Sequence, residues 1–493
     1  MSSIEISITK IEDAVDTIKA AIETFFGKSD LDLNIESELY KITDTLRDDL
    51  WVLIEYPYVD KVYRDSYYTY FASKHNTYHR DCIRVSFFTD EITLGQFRSH
   101  SEEGLLQKKF VGYLIIRPTF HCPIGRSLLN KKAFADNDYS ICDYIGDVSV
   151  NGVKLRVQGF PHCSQDTESI SCAETTIWSI MEYFGNKYAD YRPTSPSQIV
   201  SLLNEFSKQR LLPSTGLTVD EISFALKEFG FGSNIYSREE AYGDEIENII
   251  AYYIESGIPV IAAVKNETVG HAIAVIGRQN DSTTDLSKTR RRELEYLDTT
   301  VEYIDYTDIS RKYIVNDDNL APYRAVDLGY PVEHYDPDGD FKGCIIEAVV
   351  VPLYKKIYLE VIKARALALT IISDKNFGYK FSGGFVFRFF LASSRSFKEH
   401  VFRSQLNDDY KDYLILTAMP KFIWCAEIYD QADLQDHKVA ALVILDATEA
   451  NQIFIDSLIF AGYPDRTFVK DDDEFVTLKQ SFGPYHRFRH NLH

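Results

Sequence analysis

The chain is poor in methionine, tryptophan and proline, and it has no long apolar run. Its 493 residues include Met 3, Trp 3 and Pro 15. No stretch approaches the ~20 consecutive apolar residues that a membrane-spanning helix needs. The first residues, Met-Ser-Ser-Ile-Glu-Ile, lack the basic segment and apolar core of a secretory signal. We therefore expect no membrane partner.

Cysteines are few, and their spacing does not indicate pairing. An odd, scattered set is typical of free thiols in a reducing compartment, so we predict a cytoplasmic protein. His162 stands beside Cys163, but adjacent residues rarely converge on one ion, and no second pair lies at zinc spacing. We predict no metal and no cofactor. The cysteines are Cys82, Cys122, Cys142, Cys163, Cys172, Cys344 and Cys425.

Basic residues are also in deficit, since the formal net charge is -21. Binding to nucleic acid or to an anionic membrane needs a basic surface, so neither partner is expected. What is present is ample core material, with 45% hydrophobic residues and many aromatic rings (Tyr 33, Phe 31). The length exceeds the ~250–300 residues at which one core stops growing, so two or three domains are expected.

The pattern of apolar residues predicts an α+β protein with three consecutive domains, residues 1–155, 156–352 and 353–493. In the first domain, β-rich runs begin at Trp51, Cys82 and Phe110. Between the first two runs, residues 63–78 are dense in tyrosine. These rings either line a recognition groove or form a half-buried surface.

The stretch from Gln165 to Gly185 predicts a loop that leads directly into an amphipathic helix, which ends at Gly185-Asn186. Cys172 falls in its first turn, where free backbone N–H groups and the helix dipole stabilise a thiolate. Gln165, seven residues earlier, could supply a second oxyanion donor beside the Cys172 N–H. Alternatively, Cys172 is only a small apolar residue packed at a helix start. The helix has its apolar stripe at Ile177, Ile180, Met181 and Phe184.

Further helices without an intervening strand are predicted up to Gly257, followed by a β region. Two apolar strands begin at Pro259 and Ala272, with His271 at the start of the second. The polar residues 278–311 are predicted to be a solvated insertion. The next strand, from Tyr313, ends at Asn316-Asp317-Asp318, and strand alternation predicts that only one of the two aspartates faces His271.

The order of Cys172, His271 and Asp317 along the chain fits the needs of a thiol nucleophile. A thiol nucleophile needs a base that can also form an ion pair with the thiolate, and an imidazole meets both needs. The imidazole needs a carboxylate or amide on its far nitrogen to fix the tautomer. Cys172, His271 and Asp317 are therefore predicted to meet across a cleft, with Asp318 as the alternative orienting residue.

The series formed by Gln165, the Cys172 helix, the His271 strand and Asp317 resembles the papain-like cysteine peptidases. It is most similar to the bacterial peptidases that process bacteriocin leaders, and to their wider relatives. The resemblance covers about residues 156–352 and implies a helical lobe and an antiparallel sheet lobe, flanked by α+β domains. It implies that Gln165 is the oxyanion donor, Cys172 the nucleophile, His271 the base and Asp317 the orienting residue.

Three functional hypotheses follow. The first is a cysteine peptidase that hydrolyses a peptide or protein substrate. The second is a transferase, deamidase or isopeptidase that uses the same thiol. The third is a catalytically silent papain-like module that binds a protein partner, together with the flanking domains. The complete set of four polar residues favours an enzyme.

Overall fold

A computed structural model describes residues 3–27, 34–75, 78–119, 122–166, 168–206, 216–239, 242–280, 286–296, 299–381, 383–450, 454–471, 474–479, 481–483 and 485–493. The chain is mixed α and β with several antiparallel sheets, which confirms the predicted α+β class. Within these ranges, no helix combines the length and apolar character required to cross a bilayer.

The α-helices of the described ranges are mostly short and are listed here in chain order. They are α1 Ala14–Phe26, α2 Asn34–Thr43, α3 Lys61–Thr69, α4 Glu103–Lys109, α5 Cys172–Lys187, α6 Pro196–Phe206, α7 Val219–Glu228, α8 Ile246–Glu255, α9 Val361–Ser373, α10 Ser394–Arg403, α11 Asp408–Leu416 and α12 Phe454–Ser457.

The strands begin near the N-terminus and recur along the whole chain. They are β1 Glu5–Lys10, β2 Trp51–Tyr58, β3 Cys82–Phe88, β4 Phe110–Ile116, β5 Ile124–Leu129, β6 Tyr139–Ile141, β7 Tyr144–Val150, β8 Val153–Gly159, β9 Pro161–His162, β10 Asn234–Ser237, β11 Val260–Lys265, β12 Gly270–Gln279, β13 Arg292–Tyr296, β14 Thr299–Asp305, β15 Tyr313–Asn316, β16 Arg324–Val326, β17 Ile345–Val351, β18 Phe385–Ser393, β19 Phe422–Asp430, β20 Lys438–Val439, β21 Ala441–Asp446, β22 Leu458–Gly462, β23 Thr467–Asp471, β24 Glu474–Leu478 and β25 Tyr485–His486.

The described residues form two compact units, each assembled from separate segments. The first comprises residues 1–230, 261–276 and 313–350, and the second comprises residues 231–260, 277–312 and 351–493. The predicted break at 155/156 lies inside the first unit, whereas the predicted break at 352/353 lies close to a division between units. The three consecutive domains stay a prediction.

The first unit carries two sheets that position the candidate site. One has the antiparallel order β1-β2-β3-β4-β5-β9. The other includes β17-β11-β12-β15-β16. Helix α5 is buried along almost its whole length, because its apolar stripe and its neighbouring positions face the interior. It continues past Gly185 to Lys187, so the predicted helix end is wrong. A side chain at Gly185 would collide with the backbone of Arg192 and Pro193, which explains the glycine.

The second unit is organised by the sheet β13-β14-β18-β19-β21-β22-β23-β24, in which β14 and β18 are parallel. Its interior includes Phe390, Tyr410 and Cys425. Two sequence predictions are wrong here. Residues 278–311 are not only a solvated insertion, since β13 and β14 form one end of this sheet. The region up to Gly257 is not purely helical, because β10 separates α7 from α8.

Candidate active site

The nucleophile candidate Cys172 is the first residue of α5, as predicted, and it is partly exposed. The carboxylate of Glu174 accepts hydrogen bonds from the backbone N–H (3.2 Å) and the hydroxyl of Ser171, which stabilises the helix start. One turn later, the Thr176 hydroxyl lies 2.7 Å from the Cys172 carbonyl and 3.2 Å from the Ala272 carbonyl. The helix start is thereby held against the residue that follows His271.

A buried arginine that is not part of the loop before Cys172 holds this loop through hydrogen bonds to its backbone. Arg117 follows β4, and its Nη2 donates to the carbonyl oxygens of Ser164 (3.0 Å), Gln165 (3.3 Å) and Cys122 (2.8 Å). Backbone carbonyls in a loop have no ladder partner, so a planar guanidinium is well suited to satisfy several at once. The N-terminal sheet therefore positions the loop that carries Gln165.

The tyrosine-rich segment contacts the same loop through Glu168. The Glu168 carboxylate accepts hydrogen bonds from Tyr70 (3.1 Å) and Tyr78 (3.5 Å) and pairs with Lys74 at 2.7 Å. Tyr63 and Tyr78 are buried, so part of this segment belongs to the core. The groove stays a prediction.

His271 is the second residue of β12, and its imidazole is buried. Its Nε2 lies 2.9 Å from Oδ1 of Asp317, and the ring packs edge-on against Phe341 with centroids 5.4 Å apart. Burial alone lowers the pKa of this imidazole, but the Asp317 charge and hydrogen bond, a hydrogen bond with Cys172 and the Asp318 charge together raise it well above its usual value. These partners favour the protonated form of the ring over the neutral form.

Asp317 directly follows β15, the neighbour of β12, and several donors hold it. Tyr335 donates its hydroxyl to Oδ2 (2.7 Å), and the Asn319 backbone N–H donates to Oδ1 (3.0 Å). Burial raises the pKa of Asp317, but the attraction of His271 and these hydrogen bonds lower it overall. Nε2 of His162 lies 3.1 Å from the Asp317 carbonyl. Burial lowers the pKa of His162 to about 4, so it is neutral and donates to this carbonyl.

Asp318 also faces His271, which contradicts the prediction from strand alternation. Its Oδ1 lies 3.6 Å from Nε2 of His271. The reason is local, because β15 ends at Asn316 and a turn brings both carboxylates to the same ring. Among the residues that the structure describes, neither carboxylate oxygen of Asp318 has a hydrogen-bond partner. Burial, with the nearby charge of Asp317, raises the pKa of Asp318 to about 7 despite the attraction of His271.

Gln165 reaches the site from the opposite end of the loop. Its side-chain Nε2 donates to Oδ1 of Asn319 at 2.6 Å, and Nδ2 of Asn319 donates to the Tyr335 hydroxyl at 3.2 Å. Gln165 is therefore joined by hydrogen bonds to the turn that carries Asp317. Its predicted role as an oxyanion donor to a group on Cys172 stays a prediction.

Hydrogen bonds join Gln165, Asp317 and His271 in one network, together with residues that the sequence did not reveal, and Cys172 lies beside the His271 ring. Arg117, His162, Asn319 and Tyr335 each contact a predicted site residue or the backbone that carries it. These contacts span up to 155 positions of sequence for His162 and Asp317. No spacing or periodicity in the sequence indicates contacts of this kind.

The sequence matches no protein-family model, and no curated protein sequence matches it.

Proposed function

We propose that the protein is a cysteine peptidase in which Cys172 is the nucleophile, His271 the general base and Asp317 the residue that orients the base. One observation carries the proposal: a single buried imidazole hydrogen-bonds Asp317 through Nε2, and the Cys172 thiol lies close enough to the same ring to raise its pKa. Because Asp317 occupies Nε2, Nδ1 is the nitrogen available to the sulfur. This is the arrangement that a thiol nucleophile requires.

The reaction begins when the thiol proton passes to Nδ1 of His271. The thiolate attacks the substrate carbonyl carbon, and the oxygen that becomes negative is stabilised by the Cys172 backbone N–H and, by the resemblance, the Gln165 amide. The imidazolium then gives its proton to the departing amine, the C–N bond breaks and a thioester remains. Water attacks the thioester, His271 accepts a proton from it, and the thiol is restored as the acid product leaves.

A papain-like arrangement is part of this proposal. It is supported by a nucleophile at the start of a helix and by a base and an orienting carboxylate at the ends of neighbouring strands. The substrate is a peptide or protein, and the rest of the chain is available to bind a protein partner. We also propose a reducing location such as the cytoplasm, because all seven cysteines are free.

A thiol-directed reagent tests the proposal. The matched control is Cys122, which is also partly exposed but whose pKa is raised, mainly by burial. At neutral pH we expect iodoacetamide to label Cys172 at least about 100-fold faster than Cys122, because an adjacent imidazolium stabilises only the Cys172 thiolate. His271→Ala should remove this advantage. Equal labelling of the two cysteines would leave only a binding module.

The choice between hydrolysis and transfer needs a second measurement. Incubation with a peptide library, followed by mass spectrometry, should give fragments with new free carboxylates and amines. Cys172→Ala, which keeps the helix start but lacks the sulfur, should give none. Products that are modified but uncut would assign the same thiol to a transferase or deamidase and overturn the peptidase proposal.

A further inference from the structure

Three buried groups at the site present the ligand atoms of a metal centre. Nε2 of His271 lies 2.9 Å from Oδ1 of Asp317 and 3.6 Å from Oδ1 of Asp318. All three ligand atoms lie within 4.8 Å of one another. First-row divalent ions bind imidazole nitrogen and carboxylate oxygen at about 2.0–2.2 Å, which separates neighbouring ligands by about 3.4 Å in a tetrahedral site. The observed separations bracket that value.

Asp318 is the residue whose position the peptidase chemistry does not explain. It is only 4% exposed, and within the described part of the chain both of its oxygens lack hydrogen-bond partners. A buried carboxylate without a donor is costly, and such groups are usually paired or coordinate a metal. Asp317, by contrast, accepts hydrogen bonds from His271, Tyr335 and Asn319. Asp318 therefore points at His271, and its carboxylate oxygens are available as metal ligands.

We propose that His271, Asp317 and Asp318 bind a divalent transition-metal ion, with Zn²⁺ as the probe, and that the bound ion switches the site off. One nitrogen and two carboxylate oxygens leave an open position, a donor set that suits Zn²⁺. Binding does not depend on what the thiol does. The inhibitory consequence rests on the proposed function.

The inhibition follows from the two nitrogens of one ring. A neutral imidazole has a single lone pair, so a ring that gives it to an ion through Nε2 keeps its proton on Nδ1. Such a ring cannot accept the Cys172 proton. The ion also replaces the hydrogen bond between His271 and Asp317. Cys172 itself is not a metal ligand in this arrangement, because its thiol faces Nδ1 of His271 whereas the ion binds Nε2.

The test titrates Zn²⁺ into the reduced, chelator-treated full-length protein, with affinity measured by competition against a fluorescent zinc indicator. We expect one tight site per chain in the wild-type protein and in Cys172→Ala. Asp318→Asn should weaken it at least about ten-fold. Asp338→Asn, which removes an exposed carboxylate of the same unit, should leave it unchanged. Equal affinity of the wild type and Asp318→Asn, or loss of the site in Cys172→Ala, overturns the proposal.

Co²⁺ gives a second readout that requires no variant. We expect ligand-field absorption without a thiolate-to-cobalt charge-transfer band, and a strong charge-transfer band overturns the proposal because it shows sulfur ligation. The experiments can contradict the metal-site proposal and the peptidase proposal independently of each other. Reactive Cys172 in metal-free protein without an Asp318-dependent zinc site removes only the metal centre. An Asp318-dependent zinc site with an unreactive Cys172 removes only the peptidase.

Discussion

The two compact units each bury a cluster of charged side chains, and the two clusters are built in opposite ways. In the second unit, Glu255 accepts hydrogen bonds from Arg278 and Arg388, one on each oxygen. Glu427 accepts from Arg388 (2.7 Å) and from the Phe488 backbone N–H (2.8 Å). Every carboxylate oxygen of this cluster therefore has a donor.

In the first unit the imidazole of His271 faces two carboxylates. Asp317 is fully engaged, whereas Asp318 has no donor among the described residues. A buried cluster in which every charged group has a partner contributes to the stability of a fold. A buried polar group without a hydrogen-bond partner instead indicates a functional site. The comparison therefore predicts that equivalent substitutions in the two clusters have different, and in one case opposite, effects.

The largest expected effect is on stability, from Arg388→Met. This change leaves Glu255 and Glu427 buried with fewer donors, so we expect the free energy of unfolding to fall by about 3–5 kcal/mol. Urea unfolding measures it. The control is Arg403→Met, which removes an exposed ion pair with Glu399 and should cost at most about 1 kcal/mol. Equal effects of the two variants would contradict the structural role of the cluster.

The same cluster makes a pH prediction. Burial raises the pKa of Glu255, but Arg278 and Arg388 outweigh burial and lower it to about 2. Because the pKa of Glu255 is lower in the folded chain than in the unfolded chain, the unfolded chain binds a proton at a higher pH than the folded chain does. The stabilisation by Glu255 is therefore complete above its unfolded pKa of about 4.3 and is lost as the pH falls towards 2.

We expect the wild type to exceed Glu255→Gln in unfolding free energy by on the order of 3 kcal/mol at pH 7. That difference should shrink steadily below about pH 4.3. Urea titrations at a series of pH values measure both quantities. A difference that does not change with pH would show that Glu255 acts only through packing.

Much of the scaffold of the first unit could be predicted, because apolar periodicity decides local structure. The strands beginning at Trp51, Cys82 and Phe110 and the helix beginning at Cys172 are confirmed. The contact between His271 and Asp317 could also be predicted from the sequence, since both residues lie at ends of apolar strands. The hairpin within residues 278–311 was missed because its outward-facing positions are charged, so the sequence resembles a solvated loop.

The residues that support the site could not be predicted. Arg117 stands at the end of a strand 48 residues before Gln165, and only folding brings its guanidinium to the loop carbonyls. Tyr335 lies in an irregular segment without periodicity. For Asp317 and Asp318, the alternation rule failed because it holds only within a strand, and the strand ends one residue earlier.

Arg117→Met tests whether the N-terminal sheet positions the reactive loop. Loss of the guanidinium removes donors from the Ser164 and Gln165 carbonyls, so we expect a cost of about 2 kcal/mol. We also expect labelling of Cys172 to slow about ten-fold, because the loop before it is no longer fixed. Iodoacetamide kinetics on the folded protein measure this.

The control is Arg126→Met. Arg126 is another mostly buried arginine of the same unit, but it pairs with Asp60 and with Glu182 near the far end of α5 rather than with the loop. It should lower stability without slowing the labelling of Cys172 in the folded protein. If both variants slow the labelling equally, the effect of Arg117 is general and not local to the loop.

The smallest expected effect has the opposite sign. Asp318→Asn removes a buried negative charge that accepts no hydrogen bond, so we expect the chelator-treated protein to become more stable, by about 1 kcal/mol at pH 8. Asp317→Asn is the matched change one residue away, and it should destabilise because the Asp317 carboxylate accepts hydrogen bonds from His271, Tyr335 and Asn319. Thermal unfolding of both variants measures the difference. Destabilisation by both would mean that Asp318, like Glu255, is a structural charge, and the contrast between the two clusters would disappear.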